Sequence, residues 1–231
     1  PYGHQFTVLR GSEKAVLTAY AGKKGRRLVW GGAASELQSA LQAAVEEKPQ
    51  SFLAGENTEW QGMWAGSDES GKGDFFGPLV VAAVIVDETT AAKLQAAGVK
   101  DCKQLSDKKV LLLEEVIKEN VVDSAVLELK PHIYNMRYNQ VKAEGDNLNQ
   151  LLGYGHVAAL SQVLERHQAC KGALIDQFTQ SKAVLNSLKA KFPTMTFKQQ
   201  PKAESDLAVA AASVLARAKF LRSMKELALI A

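Results

Sequence analysis

Gly66-Ser67-Asp68-Glu69-Ser70-Gly71-Lys72-Gly73-Asp74-Phe75-Phe76-Gly77-Pro78 is the stretch on which the reading turns. Two adjacent acids meet a glycine-rich loop, and a long apolar run from Pro78 to Val86 follows. One reading is a phosphate-cradling loop, because Gly66, Gly71 and Lys72 match G-x-x-x-x-G-K. It fails on three counts. Gly73 stands where a metal-binding Ser or Thr belongs, and Asp68 and Glu69 would set two negative charges beside the phosphates. The chain also runs on into a strand, not into a helix whose N-terminus binds an anion. The second reading is a carboxylate site at a strand end. Strand residues alternate faces, so Asp68 and Glu69 point the same way only if the strand ends there. Gly71 and Gly73 let the backbone approach a ligand closely.

Further acids stand in matching positions. Asp176 closes the apolar run Ala173-Leu174-Ile175, where an ionised carboxylate is costly without a cation or hydrogen bonds. Glu204 opens an Ala-rich helix, whose N-terminus suits its charge. Each acid taken singly reads more readily as a turn or helix-start residue. Taken jointly, four acids from separate segments suit hard divalent cations, which prefer oxygen ligands.

The 231 residues, 46% hydrophobic and 23% charged, support a packed core and exclude wholesale disorder. No apolar stretch reaches the roughly 18–20 residues of a membrane span, and no charged segment leads into an apolar one at the N-terminus, so neither a membrane anchor nor a signal peptide is expected. Cys102 and Cys170 are too few for a disulfide scaffold and read as reduced thiols of a cytoplasmic protein. A net charge of +3 decides nothing about partners, but Lys23, Lys24, Arg26 and Arg27 form one basic cluster.

A breaker near Pro49 suggests a boundary, giving domains at 1–55 and 60–231. The first carries strands at Gln5–Arg10 and Lys14–Tyr20, a turn at Ala21–Arg27, and a third strand at Leu28–Trp30. A helix capped by Ser35 follows, with Leu37, Leu41 and Val45 on one face. In the second domain, strands are expected at Met63–Asp68, Pro78–Val86, Val121–Leu129, Gly172–Asp176 and Met195–Lys198. Helices are expected at Thr90–Ala97, from Ser106 or Asp107 onward with Val110, Leu113 and Ile117 apolar, at Leu148–His167 and at Glu204–Met224. Strands mixed with amphipathic helices indicate an α/β layered domain. His156 and His167 fall on a helix and read as packing or surface residues, and Trp30, Trp60 and Trp64 as core or interdomain residues.

Asp68 to Pro78 resembles the first motif of type 2 ribonucleases H, and more closely of ribonuclease HIII. Lys100-Asp101-Cys102-Lys103-Gln104-Leu105-Ser106 resembles the family's Asp-Ser-Lys-x-Leu-Ser segment, with Cys102 in place of Ser. Ala173 to Asp176 resembles the strand carrying its third acid, and Lys202-Ala203-Glu204-Ser205 with Ala210 to Arg217 its last motif. The resemblance implies a ribonuclease H fold: a mixed central sheet flanked by helices. It also implies a small N-terminal α+β domain resembling TATA-binding protein, which residues 1–48 fit in part. The implied activity is endonucleolytic hydrolysis of the RNA strand of RNA/DNA hybrids with two Mg²⁺ or Mn²⁺ ions, producing 5′-phosphomonoesters. The expected partner is the hybrid, met by a monomer away from any membrane. The implied catalytic and metal-binding set is Asp68, Glu69, Asp176 and Glu204, with Asp68 bridging the ions and Asp206 the rival of Glu204. Gly71, Lys72 and Gly73 are expected to meet the 2′-hydroxyl and a phosphate, and Lys23, Lys24, Arg26 and Arg27 to add backbone affinity. Two alternatives remain: a ribonuclease HII-like cutter of single ribonucleotides in DNA, and a catalytically silent hybrid-binding protein. Junction cutters of the family use a late tyrosine to stack on the junction sugar, whereas after Glu204 this chain has only Phe220.

Overall fold

The computed structural model describes residues 4–11, 13–22, 25–31, 35, 37, 38, 41 and 61–229. The chain divides into two compact units, Pro1–Ser51 and Phe52–Ala231. Among the described residues of the first, β1 (His4–Arg10), β2 (Glu13–Gly22) and β3 (Gly25–Gly31) form an antiparallel sheet in that order. Arg10 and Glu13 close the first hairpin with a 2.8 Å ion pair. The second hairpin is tighter than the sequence suggests. Ala21, Gly22, Gly25, Arg26 and Arg27 belong to strands, with Gly22 paired to Gly25. Lys23, Lys24, Val45 and Trp60 lie outside the described residues, as do the side chains of Arg26 and Arg27. The Ser35 hydroxyl accepts the Gln38 N–H at 3.1 Å, as a helix cap would.

The second unit is built on a five-stranded mixed sheet ordered β6-β5-β4-β7-β8. Its strands are β4 (Trp64–Ser70), β5 (Leu79–Val86), β6 (Asp123–Leu129), β7 (Gly172–Asp176) and β8 (Thr196–Gln200). β4 pairs antiparallel with β5 and parallel with β7, so the site-bearing strand lies at the centre. Every residue of β5 is buried, because helices cover both faces. Val80, Ala82, Val84 and Val86 meet α1 (Glu88–Ala96), α2 (Asp107–Asn120) and α6 (Leu207–Ala228) on one face. Val81, Ala83 and Ile85 meet α4 (Leu148–Arg166) and α5 (Ala183–Lys191) on the other. A further helix, α3 (Pro131–Ala143), follows β6.

Local chemistry explains the helix starts. Asp87 caps α1 through the Thr90 N–H, Ser106 caps α2 through the Lys109 N–H, and Asn147 caps α4 through the Asn149 N–H. The small side chains of α6, Ala208 to Ala212, allow it to lie directly on β4. Gly66 makes that approach possible, since a Cβ there would collide with the backbone nitrogen of Val209. Both cysteines are free. Among the described residues no helix is long and apolar enough to cross a membrane.

Candidate active site

β4 does not end at Asp68. It continues to Ser70, with Asp68 paired to Ala82 and Glu69 to Val81. The expectation that the strand stops so that both acids share a direction is therefore corrected: alternation sends them to opposite faces. Asp68 lies on the α6 side, near Ser213, whose hydroxyl donates to Asp101 at 3.3 Å. Glu69 lies on the α4 side with Ser67, and His156 of α4 reaches it at 3.2 Å. The two carboxylates still reach one opening. Asp68, Glu69 and Asp176 line a cleft of about 530 Å³ together with Lys72, Lys103 and Arg217.

The parallel pairing of β7 with β4 brings Asp176 to the same end of the sheet. Its carboxylate accepts the Ala203 N–H at 3.1 Å. That bond ties down the single-turn helix Ala203–Ser205, which carries half-buried Glu204. Lys202 just before it adopts a left-handed backbone, φ 59°, unusual for a residue with a side chain. Glu204 itself is not part of the cleft wall, but it acts electrostatically on Lys103 together with Asp101, Asp68 and Asp176. Asp206 is elsewhere engaged. It is buried, accepts the Trp64 indole N–H at 3.0 Å, and caps α6 through the N–H groups of Ala208 and Val209.

The electrostatics follow from this packing. Burial, and then the negative charges of Glu69 and Asp176, push the Asp68 carboxyl up to about 8, against hydrogen bonds from the Glu69 N–H and Ser213. Burial would lift Glu69 too, but its bond to His156 and the charges of Lys72 and Lys103 outweigh it and hold it below the ordinary glutamate value. Burial opposes the Lys103 charge, yet the surrounding acids raise its pKa. Positive charge brought beside Asp68 would favour its ionised form.

Hard carboxylate oxygens around an open cleft are a donor set for Mg²⁺ or Mn²⁺. Among the described residues no three His, Cys, Asp or Glu side chains enclose an ion by themselves. Mg²⁺ is commonly held by one or two carboxylates with water and phosphate oxygens completing its coordination. The loop beyond the acids is shaped by Gly71, whose φ of 90° and contact with the Pro78 carbonyl admit no side chain. Phe220 is buried against Gly71 and Gly77, so its ring faces the loop's underside.

Three contributors were given no site role by the sequence, Lys103 being quoted there only within a motif. Lys103 stands among the acids, Phe178 lines the cleft two residues beyond Asp176, and His156, read as a packing residue, bonds directly to Glu69. A histidine on the apolar face of a helix carries no local signal of its partner; only the pairing of β4 against α4 reveals it.

Comparison with known proteins shows the family. The family model for Ribonuclease HII matches residues 65–231. A ribonuclease HIII of Protochlamydia amoebophila is 44% identical over 162 residues, covering 70% of this chain and 52% of that protein. A ribonuclease HIII of Oceanobacillus iheyensis is 32% identical over 235 residues, covering 94% of this chain and 72% of that protein. The crystal structure of Bst-RNase HIII in complex with Mn²⁺ superposes with a TM-score of 0.65 at 31% identity, covering 97% of this chain and 73% of that one. The chain thus spans about half the length of several curated relatives it matches. With the matched region, the sheet order and these relatives in agreement, the chain belongs to the ribonuclease HII family.

Proposed function

We propose that this chain cuts the RNA strand of RNA/DNA hybrids endonucleolytically, with two Mg²⁺ or Mn²⁺ ions, leaving 5′-phosphomonoesters. The observation that carries the reading is the meeting of Asp68, Glu69 and Asp176 in one cleft with Lys72, Lys103 and Arg217. Asp68, Glu69, Asp176 and Glu204 would hold the ions. Bound there, they would supply Lewis acidity toward the scissile phosphate and a hydroxide at neutral pH.

The remaining tasks fall to the chain's own groups. Lys72 binds a phosphate beside the acids. The Gly71 and Gly73 backbone, with positive φ of 90° and 87°, presents its polar groups to the 2′-hydroxyl in the wide minor groove of an A-like duplex. Residues 1–55 act as a substrate-binding domain and 60–231 as the catalytic domain, with Lys23, Lys24, Arg26 and Arg27 adding phosphate contacts. The preferred substrate contains several consecutive ribonucleotides. The burial of Phe220 supports this, because it leaves that ring no open face for stacking on a lone junction sugar.

One experiment tests the reading. Two duplexes of equal length, one with a run of ribonucleotides and one with a single ribonucleotide in DNA, are incubated with Mg²⁺, with Mn²⁺ and with EDTA. The expected result is metal-dependent cutting of the run, poor cutting of the single site, and loss of both in Asp68→Asn with hybrid binding retained. Equal or faster cutting of the single-ribonucleotide duplex would transfer the function to the junction cutter. Metal-dependent binding without cutting of either duplex would leave a silent hybrid-binding protein.

A further inference from the structure

We propose that His156 is a positioning residue: through a buried Ser67–His156–Glu69 chain it fixes the Glu69 carboxylate in the orientation that receives a divalent cation. The inference rests on the proposed function, since it assigns His156 a role only through that site.

The geometry is that of a closed relay. His156 has no solvent exposure. Its Nδ1 lies 2.6 Å from the Ser67 hydroxyl oxygen and its Nε2 lies 3.2 Å from Glu69 Oε2. Ser67 and Glu69 are two apart on β4, so alternation places both on the α4 face, where one ring can span them. With Nε2–H donating to Glu69 and Nδ1 meeting the Ser67 hydroxyl, one ring serves both partners. The ring plane is fixed as well. Phe178 stacks on it with centroids 4.8 Å apart and an 11° tilt.

The arrangement acts on one particular oxygen. His156 engages Oε2, while the Lys72 ammonium stands 3.8 Å from Oε1. Lys72 also lies 5.5 Å from the centroid of the Phe178 ring that stacks on His156. A glutamate at the mouth of a cleft has three rotatable bonds, and a carboxylate ligand is useful only if its oxygens are held. Hydrogen-bonded partners of ligating carboxylates do this in metal sites generally, and removing them costs about 10–100-fold in metal affinity or activity. A packing role alone would require neither the Ser67 bond nor the Glu69 bond, only a ring of this volume beneath Phe178.

Two substitutions separate the roles. His156→Gln carries its amide N–H to about the position of Nε2 and keeps a donor for Glu69. His156→Asn reaches only the Ser67 side. Mn²⁺ affinity of the full chain is measured by calorimetry without nucleic acid, and kcat and KM are measured on a hybrid. The expected result is that Asn weakens Mn²⁺ binding about 10–100-fold and lowers kcat with KM for the hybrid unchanged, while Gln recovers most of both. In a Glu69→Gln background the Asn substitution should add little, because both act through one carboxylate. Equal Mn²⁺ affinity for folded Asn and Gln variants, or losses that add fully with Glu69→Gln, would overturn the inference. Asp68→Asn is run alongside. If it binds Mn²⁺ and cuts like the parent, the site itself is misplaced and the relay falls with it. If Asp68→Asn fails but Asn and Gln behave alike, only the His156 assignment falls.

Discussion

Asp206 accepts an indole N–H and two backbone N–H groups at the start of α6, and it is buried while doing so. Glu204, two residues earlier, is half-buried and acts electrostatically on Lys103. The chain's spacing alone left these two as rivals, because a helix start and a ligand both call for an acid. The packing of Trp64 distinguishes them, and no local pattern announces a contact 142 positions away. Asp206→Ala should cost about 2–4 kcal/mol, from a lost cap of about 1 kcal/mol and a buried indole N–H left unpaired at about 1–3 kcal/mol. Cleavage per folded molecule should stay within about twofold of the parent, whereas effects of 10²-fold or more mark groups acting in the transition state. Glu204→Gln should behave in the opposite way, keeping its unfolding midpoint and losing cleavage. Denaturant unfolding and turnover measured on both variants decide the matter. Loss of cleavage in a stable Asp206→Asn protein would hand Asp206 the fourth role. At His156 the limit of sequence was different in kind: its helix was anticipated, but the identity of the strand opposite it is a tertiary fact.

The elements that were legible are those with strong periodicity or caps. Gly172–Asp176 forms a strand over those residues, the runs at Leu79–Val86 and Leu148–Arg166 lie within a residue of expectation, and the helix Asp107–Asn120 starts where expected. Two helices gave no usable signal. Among the residues of α3 only Val141 is buried, and α5 buries only Val184 and Leu188, one turn apart. Neither has a side-chain cap. Short helices of that kind are set by what they lie on, not by propensity. The pairing of α2 with α6 shows a second tertiary device. Glu114 is buried at the α2–α6 contact and bonded by Arg222 at 2.7 Å and by Lys118 at 2.7 Å. Burial alone would lift its carboxyl, but the Arg222 and Lys118 bonds override this and hold it below the ordinary glutamate value. The sign follows: the unfolded chain binds the proton more readily, so the stabilisation is present above about pH 4.5 and is lost as pH falls through the lower folded value. Both cations are half exposed, which limits the worth of the cluster to about 1–2 kcal/mol. Glu114→Gln should lose that amount at pH 7 and progressively less as pH falls below about 4.5. Unfolding curves for parent and variant across an acid pH series check this, and a loss that does not change with pH would assign the effect to packing.

At the level of the whole molecule, the two units present different surfaces. The second brings Asp68, Glu69 and Asp176 to one cleft, whereas the sequence of the first carries the basic run Lys23-Lys24-Gly25-Arg26-Arg27. Its sheet also leaves Phe6, Leu9 and Tyr20 exposed, at 54%, 69% and 42%. Arg27 sits in register opposite Tyr20, and Arg26 opposite Ala21. In the cleft the acids offset the charges of Lys72, Lys103 and Arg217, so a separate cationic element would add to the hold on the duplex. The proposed division of labour therefore makes a quantitative statement about salt. Each phosphate neutralised by a Lys or Arg releases counterions, and log affinity falls against log salt with a slope of about 0.7–0.9 per contact. Replacing Lys23, Lys24, Arg26 and Arg27 together with Gln should flatten that slope by up to about 3 and weaken hybrid binding most at low salt. The acids are untouched, so kcat at saturating hybrid should hold while KM rises. The measurement is hybrid affinity of the parent and the fourfold variant across a salt series, with single-turnover cleavage at saturation as the companion. A slope unchanged by the fourfold replacement would show that these charges serve solubility and that the duplex is held by the cleft and its loop alone.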